Sequence, residues 1–480
     1  MSHGGGAAKP GGPGGRSGGG SGGGSGGGSR LGPGGGVPLS ARICGETLAA
    51  ATAGVVAMVV VAALGLWAAG AGELPGGGFH RVTAAVVVMA AGGKVEVSGD
   101  AGVFAKAEAA VDVVPLSVTL AGALALAFVF LWPLRHRAVA EPAELLARIA
   151  LTAAFWLVYL GVLVGLARHE FEITVGNDIA DEIGRALGAT PRVGFRADLP
   201  ATLGVGLLWV LAVLALAFLV PRGTPLSSRL LRFQRWVRPP AFAMLYVLLA
   251  YVGLGLVAGL VTLITQDHRT ETFAVLCLGL PNLAWMALGV GIGGAWTGHV
   301  DDSLGLPMPH ALDKILHTRD GTRTVDLGAI GDHDDRAWVL VAVAVLILFT
   351  AALAAAVRAP ARLPAWRHAL QLALALAVTL FVVGLLTRVS SHQGLSLVGV
   401  GGLEGLGGLG GEVQLDPHVG RLVGAGALWG LVMGFFGSLL ARRLRHPGEA
   451  GEGGEAREGE GGGEGGDSGG AKGRGAGPRQ

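Results

Sequence analysis

From Ile43 to His446 the chain repeats one pattern: an uninterrupted apolar run of about 20 residues, then a short stretch that gathers the charges. An α-helix rises about 1.5 Å per residue, so about 20 apolar residues are what a helix needs to cross the hydrocarbon of a bilayer. The runs predict crossings near 47–69, 115–133, 148–167, 200–220, 240–265, 337–357, 368–388 and 421–441. With them they predict an all-α polytopic membrane protein of about eight transmembrane helices. Ala69, Gly70 and Ala71 follow the first run as a signal-peptide cleavage site would. That run is longer than the apolar core of a signal, and a long tail precedes its basic flank, so it reads as a crossing.

Arginine placement orients the spans, because arginine-rich short loops stay in the cytoplasm. Arg135/Arg137/Arg148, Arg222/Arg229/Arg232/Arg235/Arg238, Arg358/Arg362/Arg367 and Arg442/Arg443/Arg445 mark cytoplasmic segments, and with Arg30 and Arg42 they put both termini inside. Connections 168–199 and 389–419 carry Glu170, Glu172, Asp178, Asp181, Glu182, Glu404, Glu412 and Asp416, which suits the exterior. The chain leaves the inside after Arg238 and is back by Arg358, so an even number of crossings lies between. Three apolar stretches occupy that interval: 240–265, 272–296 and 337–357. The simplest resolution makes 272–296 re-entrant from the exterior, broken at Pro281 and Asn282 into a short and a longer half, with 297–336 an exterior loop. Val82 to Ala91 is too short to span. It is a second re-entrant segment, or a strand or buried helix of an exterior cap. Backbone that turns within the membrane needs shielding by protein or a watery cavity, so two such segments on one side predict an exterior-facing vestibule.

Composition bounds the rest. About half of the chain is apolar (51%) and 15% is charged, which excludes an ordinary soluble protein. Residues 1–42, mostly Gly, Ser and Pro, and residues 447–480, mostly Gly and Glu, cannot bury enough apolar surface to order, and read as disordered cytoplasmic tails. Only Lys9, Lys94, Lys106, Lys314 and Lys472 of the 36 basic residues are lysines, a bias of GC-rich coding; no basic, aromatic-interleaved stripe points to nucleic acid. Cys44 and Cys277 are too far apart in sequence to suggest a disulfide framework or a zinc site.

Six apolar strings carry a resemblance: Ala62–Gly70 (AALGLWAAG), Ala84–Gly93 (AAVVVMAAGG), Pro115–Leu124 (PLSVTLAGAL), Pro133–Arg137 (PLRHR), Gly279–Trp285 (GLPNLAW) and Gly305–His310 (GLPMPH). Through most of Ile43 to His446 the chain resembles the streptophobe family of uncharacterised actinobacterial membrane proteins. The resemblance implies a multi-pass protein of the cell membrane and supplies no activity, cofactor or functional residue.

The chemistry-bearing positions are few. None of the eight proposed crossings has Asp, Glu, Lys or His at its centre, which argues against a carrier coupled to protons or sodium through an intramembrane carboxylate. Gln371 and Asn282 are the main deep polar side chains. Asn282 follows Pro281, whose missing donor frees a carbonyl one turn back, so its amide either satisfies broken backbone or lines a pathway. The exterior loop holds His310, Asp313 and His317, which share one face of a helix starting at Pro309 and present two imidazoles and a carboxylate to a divalent cation. Leu312, Ile315 and Leu316 take the opposite face, so an ordinary amphipathic surface helix accounts for the same pattern. The glycine spacing from Gly405 to Gly410 lacks a βαβ context, and Gly19 to Gly23 lacks the strand and helix of a nucleophile elbow. Gly426, Gly430 and Gly434 recur every four residues, which lets another helix, of this chain or of a second subunit, approach closely.

Two functional classes remain from the sequence. The first is a facilitator or channel-like transporter of an unknown small molecule, motivated by the broken segment. The second is a non-catalytic envelope scaffold or assembly partner, motivated by uncharged spans and tails. An intramembrane enzyme ranks third, because no nucleophile and base or metal set lies in the apolar runs. No cofactor is expected; the partners are the lipid bilayer and, as an open alternative, a second copy or another membrane protein.

Overall fold

The computed structural model describes residues 39–73, 78–100, 106–136, 142–167, 169–172, 192–197, 199–219, 228–265, 267–300, 323–332, 335–359, 364–396 and 413–445. The apolar runs become helices α1 (Leu39–Ala68), α2 (Gly78–Ala90), α3 (Leu116–Leu131), α4 (Pro142–Leu166), α5 (Leu199–Leu219), α6 (Ser228–Thr265) and α7 (Arg269–Gly291). They continue as the short α8 (Leu327–Gly331), then α9 (Trp338–Arg358), α10 (Ala365–Leu386) and α11 (Val419–Arg445). Among the described residues eight helices are long and apolar enough to cross a membrane: α1, α4, α5, α6, α7, α9, α10 and α11. The chain is an all-α polytopic membrane protein in its helical part. Most threonines within the helices donate their hydroxyl to a carbonyl one turn back, as Thr52 does to Leu48 at 2.8 Å and Thr379 to Ala375 at 2.8 Å. That bond hides the hydroxyl from lipid.

Helix α3, whose 16 residues rise only about 24 Å, is not among the eight, and α7 is. Contrary to the expected break, α7 runs unbroken through Pro281. The reason lies in α3. The Ser117 hydroxyl accepts from the Leu280 N–H at 3.1 Å and donates to the Leu276 carbonyl at 2.9 Å, standing in for one rung of the helical ladder just before the proline. A side chain inserted in this way holds the rung next to Pro281, and the helix continues past the proline.

The exterior cap expected as loops contains paired strands. These are β1 (Val95–Asp100), β2 (Lys106–Asp112), β3 (His169–Glu172), β4 (Arg192–Ala197), β5 (Trp296–Val300), β6 (Arg323–Val325), β7 (Val389–Ser396) and β8 (Val413–Pro417). All belong to one antiparallel sheet in the order β3-β4-β1-β2-β7-β8-β5-β6. One sheet can lie at only one end of a helical bundle. The connections α2–α3, α4–α5, α7–α9 and α10–α11 therefore meet at the same end. Val82–Ala91 falls in α2, a helix buried along Ala84, Ala85, Val87 and Val88.

The sheet order discloses a tandem repeat. Renumbering β5–β8 as 1–4 turns its second half, β7-β8-β5-β6, into the 3-4-1-2 order of the first half. Registers agree as well. Val95 faces Ala197 and Trp296 faces Pro417, shifts of 201 (296 − 95) and 220 (417 − 197) residues. The 220-residue shift also carries the pairing of β3 with β4 onto that of β7 with β8: His169 faces Phe195 as Val389 faces Leu415. The helix ends before β1 and β5 match bond for bond. Gly92 and Gly293 take φ of 87° and 95°. Gly92 and Gly93 donate to Met89 and Val88, and Gly293 and Gly294 donate to Val290 and Gly289. Both are Schellman caps, in which a left-handed glycine closes the helix. In α5 and α11 the same string occurs, Gly204-x-Gly206-x-Leu208-Trp209 and Gly424-x-Gly426-x-Leu428-Trp429. A Cβ on Gly206 would meet Leu160, and one on Gly426 would meet Leu380, at equivalent positions of α4 and α10. The chain is thus two copies of one unit, α1 to α5 with β1–β4 and α6 to α11 with β5–β8.

Each repeat has its own apolar core. The first packs Phe130, Trp156, Leu160 and Leu214 around α2; the second packs Val247, Trp285, Leu348 and Leu376 around α7. Leu116 of α3 crosses into the second core, and Leu278 of α7 leans on the first.

Candidate functional site

Two groups of polar side chains join helix to helix, one at each end of the bundle. At the sheet end they line the seam between the repeats, where α7 of the second lies across the start of α3 in the first. Helix α3 begins after Pro115, which offers no side-chain cap. Asn282 supplies one from α7: its Oδ1 accepts from the Leu116 N–H at 3.2 Å and its Nδ2 donates to the Val114 carbonyl at 3.0 Å. An N–H in the first turn of a helix has no partner within its own helix, and here the neighbouring repeat provides it. Both ends of the amide are engaged by backbone. With Ser117, Asn282 gives the seam four hydrogen bonds between α3 and α7. Farther along, Gly291 lies against the Leu340 carbonyl in the first turn of α9. Leu276 to Asn282 of α7 thus lies beside the start of α3, and Gly291 beside the start of α9.

The opposite end holds Arg148 of α4 and His368 of α10, which the 220-residue shift (368 − 148) superposes. Arg148 is 1% exposed; its Nη1 lies 2.8 Å from Glu46 of α1, and its Nε donates to Glu144 at 3.1 Å. One cation thus bridges two carboxylates and ties α1 to α4. His368 is 3% exposed, and its ring faces the Ala352 carbonyl without completing a hydrogen bond. Neither role is legible in the sequence. Arg148 reads as one of many loop arginines, and His368 as part of a terminal Arg-His pair.

A shallow cleft of about 380 Å³ lies where the end of α1 meets the α6–α7 turn, lined by Trp67, Leu263, Ile264, Arg269 and Phe273. Trp67 and Ile264 are largely exposed on the outer face of the helices, so this cleft opens sideways rather than into a core. The glycine row faces α10: a Cβ on Gly430 would sit 2.5 Å from the Ala373 Cα, and one on Gly434 2.8 Å from the Ala369 Cα. His310, Asp313 and His317 lie outside the described residues, as do Gly405–Gly410 and Gly19–Gly23. Among the described residues no three His, Cys, Asp or Glu side chains gather as metal ligands, and Cys44 and Cys277 are free thiols.

Sequence reasoning missed the repeat, although two signals in the chain report it. The Gly-x-Gly-x-Leu-Trp string occurs twice, and a Gly-Gly pair ends both α2 and α7. Ser117 left no signal, since only its place beside Pro281 gives it a role. No family model, no curated protein and no solved structure matches the chain.

Proposed function

We propose that the protein is a non-catalytic scaffold of the bacterial cell envelope, a membrane anchor that holds an eight-stranded sheet at the outer surface. One observation carries this reading: each repeat is filled by its own apolar core, and Asn282, Ser117 and Arg148 use their polar atoms to bind helix to helix. A transport path needs convergent polar groups left free for a solute.

The topology that goes with this reading has eight crossings, α1, α3, α4, α5, α6, α9, α10 and α11, with α2 and α7 dipping in from the sheet side. Its support is parity. Three helices, α5 to α7, separate β4 from β5 in one sheet, so one of them does not cross, and α7 keeps to helix starts on the sheet side. Arg135, Arg358 and Arg442 lie at the helix ends that do not lead into strands, which by the arginine rule places the sheet outside and both termini in the cytoplasm. The resemblance to the streptophobe family fits such a protein and adds no activity.

A second reading, facilitated transport along the seam, draws on the repeat itself, because parallel tandem repeats are a common transporter plan with the solute at their interface. Osmotic swelling of proteoliposomes with glycerol, urea, sugars and amino acids separates the two. A scaffold leaves permeability at the level of protein-free vesicles. Solute-selective swelling that disappears in Ser117→Leu would replace the scaffold with a facilitator.

A further inference from the structure

We infer that copies of this chain associate side by side in the membrane by repeating, between chains, the seam that joins the two repeats within one chain. That seam has two faces. One is β2 with the start of α3; the other is β7 with α7, held by the strand pairing Lys106–Asp112 against Ser390–Ser396 and by Asn282 and Ser117. Because the chain is a tandem repeat, each face exists twice. The counterpart of β2 and α3 is β6 and α9; the counterpart of β7 and α7 is β3 and α2.

These second copies are unused among the described residues. Among the described residues β3 pairs with β4 and β6 with β5, and neither edge has another partner. Helix α2 is not packed on α9 as α7 is on α3. An exact two-fold axis between the repeats would have closed both seams inside one chain. The seam is instead heterologous, and a chain that ends with one face at each edge accepts another copy at either edge. An open pair of strand edges is a ready template for such addition. Two details at the open faces fit. Arg81 stands at the position of Asn282, by the 201-residue shift (282 − 81), and its Nη1 is buried without a hydrogen-bond partner. Helix α9, like α3, starts without a side-chain cap of its own.

The repeat fixes the register. Val111 faces Ser391 and Ala110 faces His392 in the internal seam. Val111 corresponds to Val325, since Val95 and Trp296 face them in turn. Ser391 corresponds to Phe171 by the 220-residue shift (391 − 171). Val325 of one copy therefore faces Phe171 of the next, and Thr324 faces Glu172.

The test uses the full chain in native membranes with Cys44→Ala and Cys277→Ala. Differently tagged chains carrying Phe171→Cys alone and Val325→Cys alone are co-expressed and oxidised with copper phenanthroline. Val111→Cys with Ser391→Cys in one chain reports the internal seam. The expected result is a disulfide-linked dimer containing both tags, lost on reduction and absent when either variant is expressed by itself. In nanodiscs the unmodified chain is expected to give a native mass of two chains or more. A double variant, Phe171→Cys with Val325→Cys, that yields only a faster-migrating monomer would show closure within one chain and overturn the inference. A native mass of one chain overturns it as well, whether or not the cross-links form. The scaffold reading stands or falls separately, on vesicle permeability.

Discussion

At Gly430 the missing side chain is a structural requirement, because a Cβ there would reach the backbone of Ala373 in α10. Without a hydrophobic driving force between helices in lipid, close packing of this kind holds them together. Gly430→Leu is expected to destabilise the protein by about 1–3 kcal/mol, the usual range for overpacking, read as a lower melting temperature in mild detergent. Gly424, on the same helix, faces open space, so Gly424→Leu should stay within about 0.5 kcal/mol. Asn282 makes a second test at this scale. Asn282→Ala leaves the Leu116 N–H and the Val114 carbonyl without their partner, and should lower stability by about 1–3 kcal/mol in the same assay. Asn282 is legible in the sequence as a polar residue beside a proline. Its target is not, because Val114 and Leu116 lie over 160 positions away.

Among the elements, α7 shows how a neighbour changes what a sequence means. Pro281 removes a donor, and local rules break the helix there. The Ser117 hydroxyl, presented by α3, bonds the Leu276 carbonyl and the Leu280 N–H in the turn before the proline, and α7 continues to Gly291. Its end is set locally after all, by Gly293 at φ 95°. A Cβ at Gly293 meets nothing within 4 Å, so Gly293→Ala tests backbone strain without a clash. Its expected loss is about 1–2 kcal/mol, the penalty for a side chain in the left-handed region, measured by thermal denaturation. The strands were harder to read. Segments such as Val95–Asp100 and His169–Glu172 are short, rich in polar residues or glycine, and gain their conformation only by pairing with segments far along the chain.

For the whole molecule, the parity of crossings decides which side each connection occupies. If α7 dips rather than crosses, the α6–α7 turn lies on the sheet side. In a background lacking Cys44 and Cys277, cysteines at His268 and Asp332 should react alike with a membrane-impermeant maleimide on intact cells. Arg358→Cys should react only after permeabilisation. A crossing α7 would instead make position 268 behave like position 358. All three positions are exposed, so reactivity reports the side of the membrane rather than burial.

The sequence by itself determined that this chain lives in a bilayer, because hydrophobic length is a local property and lipid leaves a helix as the way to satisfy each apolar run. It also placed the arginines on which the proposed orientation rests, and the glycine row of α11. The tertiary structure alone decided that four distant connections form one sheet, that α3 stitches α7 across a proline, that Arg148 and His368 occupy equivalent buried sites, and that the chain is one unit built twice. Each of these depends on which residues meet across long stretches of chain, and apolar runs that look alike do not encode their partners in any local pattern.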